Sequence, residues 1–220
     1  MDFKRITIFA GHYGSGKTNL AVNLAFHHKA QGRDCTICDL DIVNPYFRSK
    51  DSEAALEAAG IRFISSPFAN SNVDLPAIPA EAYSVFAKSN TYSVIDLGGD
   101  DRGSYALGRF SEFLSDPSEY DMLMVLNQYR PDTRTPEQVL EIKNEIEDAC
   151  HVRFTGLVNN SNLGRETTPE IIEKTREFAE QVSNLTSLPL FMTTYDRALT
   201  PPSLPKLFPI DVMAKDVWQI

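Results

Sequence analysis

The residues from Gly11 to Thr18 constrain the fold of this chain more than any other segment. They run Gly-His-Tyr-Gly-Ser-Gly-Lys-Thr and fit the pattern G-x-x-x-x-G-K-[ST]. Such a loop surrounds phosphate groups with backbone N–H donors, and it connects a β-strand to the first turn of an α-helix. The apolar run 6–10 before the loop predicts that strand. Residues 19–30 after it contain no Pro or Gly and predict the helix.

The residue types of this loop suit a nucleoside triphosphate. Its three glycines allow positive φ values and a close approach of the backbone to phosphate oxygens. Lys17 is expected to contact the β- and γ-phosphates, and the Thr18 hydroxyl is expected to bind Mg²⁺. The predicted nucleotide-binding residues are therefore the whole run: Gly11, His12, Tyr13, Gly14, Ser15, Gly16, Lys17 and Thr18. The alternative is an ordinary glycine-rich turn between a strand and a helix.

The order of the other elements predicts an α/β fold. Continuous apolar runs alternate with helical segments, which is typical of a parallel sheet that is covered by helices on both faces. The predicted strands are 6–10, 34–40, 61–65, 92–97, 121–127, 154–158 and 188–193, and the predicted helices are 19–30, 50–59, about 80–88, 103–115, one from Pro136 and one from Pro169. We therefore predict a three-layer αβα sandwich with a mostly parallel central sheet. One domain is expected over residues 1–220, with an irregular Pro-rich tail from about residue 197.

Acidic residues end two of the predicted strands. Asp39-Leu40-Asp41 ends the second strand, and Asp96 is followed by Leu97-Gly98-Gly99. Ligands of open parallel sheets bind at the carboxyl ends of the strands, so these carboxylates are expected beside the glycine-rich loop. There Asp96 would hold Mg²⁺ or one of its water ligands. The alternative for Asp96 is a carboxylate that caps a turn or a helix.

These motifs together resemble the MinD/ParA-like branch of P-loop ATPases, the CobQ/CobB/MinD/ParA nucleotide-binding domain. The resemblance covers roughly residues 5–160 and rests on the loop, Asn19-Leu20-Ala21, Asp39-Leu40-Asp41, Asp96-Leu97-Gly98-Gly99 and Val158-Asn159-Asn160. It implies the three-layer fold of P-loop NTPases, with ATP or ADP and Mg²⁺ as cofactors.

The same resemblance implies roles for individual residues. Lys17 and Asp41 would be catalytic, with Asp41 positioning the attacking water. The metal would be held by Thr18, Asp39 and Asp96. Either Asn159 or Asn160 would recognise adenine, although an Asn-Asn pair at a strand end is equally an ordinary turn signal.

One position departs from the pattern of this branch. Many members carry a lysine directly after the first glycine, which reaches the phosphates of a partner subunit, and His12 stands there instead. A neutral imidazole supplies no fixed cation at pH 7, so a nucleotide-dependent homodimer would need another cation. We consider Arg48 and Arg102 for that role in trans, against the alternative of exposed surface arginines. Residues 41–50 are expected either to respond to the γ-phosphate as a switch or to pack into the core.

Composition limits the partners of this chain. Its formal net charge of −9 disfavours nucleic acid and anionic lipid. Its apolar runs are too short to span a bilayer and no leader segment is recognisable, so we expect a cytoplasmic location without a membrane anchor.

Two pairs of residues invite metal hypotheses. Cys35 and Cys38 have the C-x-x-C spacing of redox and zinc sites, but on a strand they would point to opposite faces, which favours buried core thiols. The neighbouring His27 and His28 diverge on a helix and are expected to be solvated.

The predicted function is Mg²⁺-dependent hydrolysis of ATP to ADP and phosphate, as a conformational switch for a protein client that the sequence does not identify. No Asn-Lys-x-Asp guanine signature is present, which favours ATP over GTP. One alternative is an ATP-using enzyme of cofactor biosynthesis that activates a carboxylate for amide formation. Another is a nucleotide-sensing subunit that does not hydrolyse its ligand.

Overall fold

A computed structural model describes residues 1–40, 50–65, 80–87, 89–99 and 101–212, without the side chains of residues 50–53 and 101–102. The strands in these ranges are β1 Ile6–Ala10, β2 Cys35–Leu40, β3 Arg62–Ser65, β4 Tyr92–Leu97, β5 Tyr120–Leu126, β6 Gly156–Asn159, β7 Leu190–Asp196 and β8 Leu207–Ile210. The α-helices are α1 Lys17–Ala30, α2 Lys50–Ala58, α3 Asp101–Gly108, α4 Pro136–Cys150, α5 Pro169–Lys174 and α6 Arg176–Thr186.

The strands form one parallel sheet. Their order is β3-β2-β4-β1-β5-β6-β7-β8, and each neighbouring pair runs parallel. Since all strands run in the same direction, their carboxyl ends lie along one edge. β1 lies between β4 and β5, so the loop that follows β1 is flanked by the segments that follow those two strands. The predicted αβα sandwich with a parallel sheet is confirmed.

Two apolar clusters cover the two faces of the sheet. One packs α1 and α2 on one face through buried residues that include Leu20, Leu24 and Leu56, and it extends to Phe208 of the edge strand β8. The other packs α3, α4 and α6 on the opposite face through residues that include Leu107, Val139, Ile146 and Phe178. The strands therefore bury side chains on both faces, which is why their sequences are continuously apolar.

The start of α4 follows the predicted pattern. The Thr135 hydroxyl accepts a hydrogen bond from the Gln138 backbone N–H at 3.3 Å, and the Gln138 side chain accepts one from the Thr135 backbone N–H at 3.1 Å. This reciprocal capping satisfies two N–H donors that a helix start would otherwise leave unpaired. The capping box predicted from the sequence is confirmed.

Three helical segments differ from their predicted extents. The segment predicted as a helix over residues 80–88 is a 3₁₀ helix, Ala80–Val85. The helix predicted over 103–115 divides into α3 and a 3₁₀ helix, Ser111–Leu114. It divides at Gly108, where a Cβ would lie 3.3 Å from the Ala149 carbonyl oxygen, so α3 and the end of α4 are in close backbone contact.

The helix predicted from Pro169 also divides, at Thr175. The Thr175 hydroxyl donates to the Ile172 carbonyl at 2.7 Å and accepts from the Asn159 amide at 2.8 Å. The turn at Thr175 therefore joins α5 and α6 to the end of β6, and this long-range contact decides the break.

The C-terminal segment is more ordered than the sequence predicts. Leu207–Ile210 forms the eighth strand, parallel to β7, so the prediction of an irregular tail from about residue 197 is wrong for these residues. Pro209 lies in this edge strand, where a missing N–H donor is tolerated. Asn23 on α1 fixes the end of β8, because its side chain donates to the Asp211 carbonyl at 2.9 Å and accepts from the Asp211 N–H at 2.7 Å.

The cysteines lie in the core, as predicted. Cys35 and Cys38 belong to the clusters on opposite faces of the sheet. All three cysteines are buried and none of them forms a disulfide. Burial raises the pKa of Cys35 and of Cys38 to about 12, which disfavours the reactive thiolate. In the ranges that the structure describes, no helix is long and apolar enough to cross a membrane.

Candidate functional site

The glycine-rich loop lies at the carboxyl edge of the sheet, directly after β1. Gly11, Gly14 and Gly16 have φ values of 138°, 74° and 96°, and a Cβ at Gly11 would lie 2.8 Å from the Val125 carbonyl oxygen. These positions therefore require glycine. Gly16 is the N-cap residue of α1, which has no side-chain cap among the described residues and no acidic residue in its first turn. The first N–H groups of α1 thus lack a capping side chain among the described residues, and groups of this kind bind anions.

Two side chains of the loop are buried within it. Lys17 is 6% exposed, and its ammonium donates to the His12 carbonyl at 3.1 Å, so the charge is held inside the loop. Ser15 is also buried, and its hydroxyl has no hydrogen-bond partner in the part of the chain that the structure describes. A buried polar atom without a partner is uncommon and is consistent with a ligand oxygen completing its hydrogen bond.

Thr18 and Asp96 meet beside the loop. Asp96 is the penultimate residue of β4, and it is in register with Phe9 of β1 and Asp39 of β2. The Thr18 hydroxyl donates to the Asp96 carboxylate at 2.6 Å. Hydroxyl and carboxylate oxygens are the ligands that Mg²⁺ prefers, and this ion retains water and phosphate oxygens as its other ligands. The donor set fits the predicted metal, and Asp39 lies on the neighbouring strand at the same level.

The described side chains alone do not surround a metal ion. No group of three or more His, Cys, Asp or Glu residues within the described ranges is arranged to hold one. Asp41, Arg48 and the expected switch at 41–50 lie outside the described residues, apart from the backbone of Lys50, and the side chain of Arg102 is also outside the description.

The two asparagines after β6 are both engaged inside the protein. The Asn160 amide donates to the Ser15 carbonyl of the loop at 2.7 Å and accepts from the Thr194 hydroxyl. The Asn159 amide donates to Thr175 and accepts from the Ser161 N–H. Both residues are buried. The Asn160 side chain therefore supports the glycine-rich loop. Recognition of the base by either asparagine stays a prediction.

The segment after β4 also packs on the loop. A Cβ at Gly99 would lie 2.7 Å from the Tyr13 backbone nitrogen, so the two backbones are in direct contact. A Cβ at Gly103, in the first turn of α3, would lie 2.7 Å from Gly98. Backbone contacts therefore connect the loop at Tyr13 to Gly99, and Gly98 to the first turn of α3 at Gly103.

A third neighbour of the loop was not identified from the sequence. In the segment after β5, the Arg130 Nε donates to the Gly14 carbonyl at 3.0 Å, and an Asp132 carboxylate oxygen lies 3.5 Å from His12 Nε2. The other ring nitrogen of His12 lies 3.0 Å from the Tyr13 carbonyl oxygen. The sequence did contain a signal for this neighbour, because a polar run directly follows the apolar strand β5. Ligands of parallel sheets bind at the ends of such strands.

Solved structures with the same architecture belong to P-loop NTPases. The cell division protein FtsY from Thermotoga maritima matches with a TM-score of 0.57 and 16% identity, over 86% of this chain and 60% of that one. Chloroplast FtsY from Physcomitrella patens matches with a TM-score of 0.56 and 16% identity, over 88% and 59%. FlhF complexed with GTP/Mg²⁺ matches with a TM-score of 0.54 and 13% identity, over 92% and 69%.

The comparisons establish the fold class. This chain has the αβα fold of P-loop NTPases, and it spans about 60% of the length of the two FtsY structures. No protein-family model matches the sequence, and no curated protein matches it. A membership of the MinD/ParA-like branch in particular stays a prediction.

Proposed function

We propose that this protein binds a nucleoside triphosphate with Mg²⁺ at the loop 11–18 and hydrolyses it. The observation that carries the proposal is the hydrogen bond of 2.6 Å between Thr18 and Asp96 beside a loop with three positive-φ glycines. In a P-loop site the hydroxyl and the carboxylate belong to the magnesium ligand system. The fold and the uncapped N-terminus of α1 support the same assignment.

The residues would divide the work of the reaction. The loop N–H groups and Lys17 bind the phosphates and stabilise charge that develops on them. Thr18, with Asp96 and Asp39, holds the magnesium ion, which supplies charge neutralisation. We propose that Asp41 orients a water molecule, whose oxygen forms a bond to the γ-phosphorus as the bond to the β–γ bridging oxygen breaks. The products are the nucleoside diphosphate and inorganic phosphate.

We propose ATP as the substrate in preference to GTP. The matched FlhF structure contains GTP/Mg²⁺, which supports a nucleotide with magnesium in this fold. Guanine offers two adjacent donors on its Watson–Crick edge, and a carboxylate is their natural acceptor. The run Asn159-Asn160-Ser161-Asn162 after β6 has no carboxylate to accept them.

We further propose that hydrolysis switches the binding of a protein client. The direct contact of Tyr13 with Gly99, and of Gly98 with Gly103, supports this, because a change at the phosphates would pass directly into α3. The ATP-bound form is also proposed to form a homodimer. Sedimentation velocity with ATPγS and with ADP tests this, and a mass that is the same with both nucleotides would contradict it.

Phosphate release from Mg-ATP and Mg-GTP tests the proposed activity. We expect release from ATP that requires Mg²⁺ and disappears in Lys17→Ala. Lys174→Ala, which removes an exposed lysine at the end of α5, is the matched control and should keep the wild-type rate. Equal turnover in wild type and Lys17→Ala would exclude the loop as the site, and faster turnover of GTP would overturn the choice of ATP.

A further inference from the structure

The segment after β5 holds Arg130 in a fixed backbone position. The Asn127 carbonyl accepts from the Arg130 N–H at 3.1 Å and from the Thr133 hydroxyl at 2.6 Å. The Thr133 N–H in turn donates to the Arg130 carbonyl at 3.2 Å, and Thr133 is buried. The Asn127 side chain accepts from the Tyr129 N–H. This tight turn therefore fixes the direction in which the Arg130 side chain leaves the backbone.

That direction is toward the centre of the phosphate loop. Arg130 Nε donates to the Gly14 carbonyl at 3.0 Å, and a Cβ on Gly14 would lie 3.7 Å from the guanidinium carbon. The two remaining nitrogens of the guanidinium make no hydrogen bond with the described residues, and Arg130 is exposed. The nearby Asp132 faces His12 instead of Arg130. The guanidinium of Arg130 therefore lies against the loop, and four of its five N–H groups have no acceptor among the described residues.

We propose that Arg130 donates to the terminal phosphate of the bound nucleoside triphosphate within the same subunit. This inference rests on the proposed function. The planar guanidinium matches phosphate oxygens with two parallel hydrogen bonds, and the Gly14 carbonyl already orients the group. Arg130 thereby supplies a permanent positive charge at the loop, which the histidine at position 12 does not, and it does so without a cation from a second subunit.

The competing explanation is that Arg130 only braces the loop. Arg130→Gln separates the two roles, because glutamine keeps an N–H donor for the Gly14 carbonyl and removes the charge. A brace supports the binding of every nucleotide equally, whereas a contact to the terminal phosphate affects only triphosphates. Arg134→Gln is the matched control, since Arg134 is exposed in the same segment and its side chain makes no hydrogen bond with the described residues.

The experiment measures the dissociation constants of Mg-ATPγS and Mg-ADP for the full chain and both variants. We expect Arg130→Gln to weaken ATPγS binding by roughly 10- to 100-fold, the usual effect of a lost charge-assisted hydrogen bond, and to change ADP binding less than about twofold. Arg134→Gln should leave both constants unchanged. Arg130→Lys retains the charge but loses the planar guanidinium that makes two parallel hydrogen bonds. It should give an intermediate loss of affinity for ATPγS and leave ADP affinity unchanged.

Two outcomes would overturn the inference. Equal weakening of ATPγS and ADP by Arg130→Gln would make Arg130 a brace, and unchanged binding of both would remove it from the site. In both cases wild-type binding of nucleotide would remain, so the proposed function would stand. A wild-type chain that binds neither nucleotide would overturn the proposed function and this inference together.

Discussion

Replacing Asn160 by alanine separates support of the phosphate loop from recognition of the base. The Asn160 side chain is 4% exposed and bridges the Ser15 carbonyl, at 2.7 Å, and the Thr194 hydroxyl. Its amide is also packed against Gly16, where a Cβ would collide with it. The substitution therefore removes the side chain that connects Thr194 of β7 to the loop through two hydrogen bonds.

The size of the effect follows from what each partner loses. Thr194 keeps an alternative acceptor, the Asn159 carbonyl at 3.4 Å, whereas the structure gives the Ser15 carbonyl no second donor among the described residues. A buried unpaired carbonyl costs about 1–3 kcal/mol, and the small cavity adds about 1 kcal/mol. We therefore expect Asn160→Ala to lower the free energy of unfolding by about 2–4 kcal/mol. If about 1–2 kcal/mol of this affects the loop geometry, nucleotide affinity falls by roughly 5- to 30-fold.

Urea unfolding and competition binding measure the two effects. A brace supports the phosphates whatever base is attached, so ATP and GTP affinities should fall by the same factor. Asn184→Ala, which truncates an exposed asparagine on α6, is the control and should leave stability and binding unchanged. A loss of ATP affinity with an unchanged GTP affinity would refute the reasoning and would assign Asn160 to the base.

Three further variants test other parts of the account. Gly99→Ala should reduce nucleotide affinity at least about tenfold, because its Cβ would collide with the Tyr13 backbone; titration calorimetry measures this. Glu147→Ala should lower the free energy of unfolding by about 2–4 kcal/mol, measured with urea, because it leaves the buried Phe154 N–H without this acceptor and removes the ion-pair partner of the largely buried Lys143. Burial raises the pKa of Glu147, but the Phe154 N–H, Arg153 and Lys143 outweigh it and hold that pKa below its usual value. Acid should also destabilise the fold through His28, because burial, Arg33 and His27 lower its pKa from 6.5 to about 4. The unfolded chain binds this proton more readily, so stability falls between pH 6.5 and 4, by up to about 3 kcal/mol, and thermal melts of wild type against His28→Gln measure the difference.

Each of these has a defined contrary result. Unchanged affinity in Gly99→Ala would show that the segment after β4 does not constrain the loop. If Glu147→Ala lowered the free energy of unfolding by less than about 1 kcal/mol, the groups that donate to Glu147 would be hydrogen-bonded to water in the variant. Parallel pH profiles for wild type and His28→Gln would show that His28 is solvated, as the sequence predicts.

The sequence predicted the loop at the centre of the candidate site because its signals are local. The strand before Gly11, the loop, and the capping box at Thr135 each depend on residues within a few positions. The position of Asp96 beside the loop followed from one general rule, that parallel strands present their carboxyl ends together. Its hydrogen bond to Thr18 joins residues 78 positions apart, and only the order of the strands determines it.

The sequence missed features that depend on contacts between distant segments. Arg130 and Gly14 are 116 positions apart, and Asn160 and Ser15 are 145 apart, so no local pattern predicts either contact. His28 was expected to be solvated, but it is fully buried and its ring lies 4.4 Å from that of Tyr92. Pro209 within β8 and the three prolines shortly before it suppressed a strand signal, and the pairing of β8 with β7 overrides that local preference.

Isothermal titration of the full chain with ATP, with and without Mg²⁺, tests whether the loop 11–18 binds the nucleotide. We expect one site per chain, a strong dependence on Mg²⁺, and a loss of affinity of at least about 100-fold in Lys17→Ala, with Lys174→Ala unchanged. Heat of binding that is absent in wild type, or that is the same in wild type and Lys17→Ala, would contradict it.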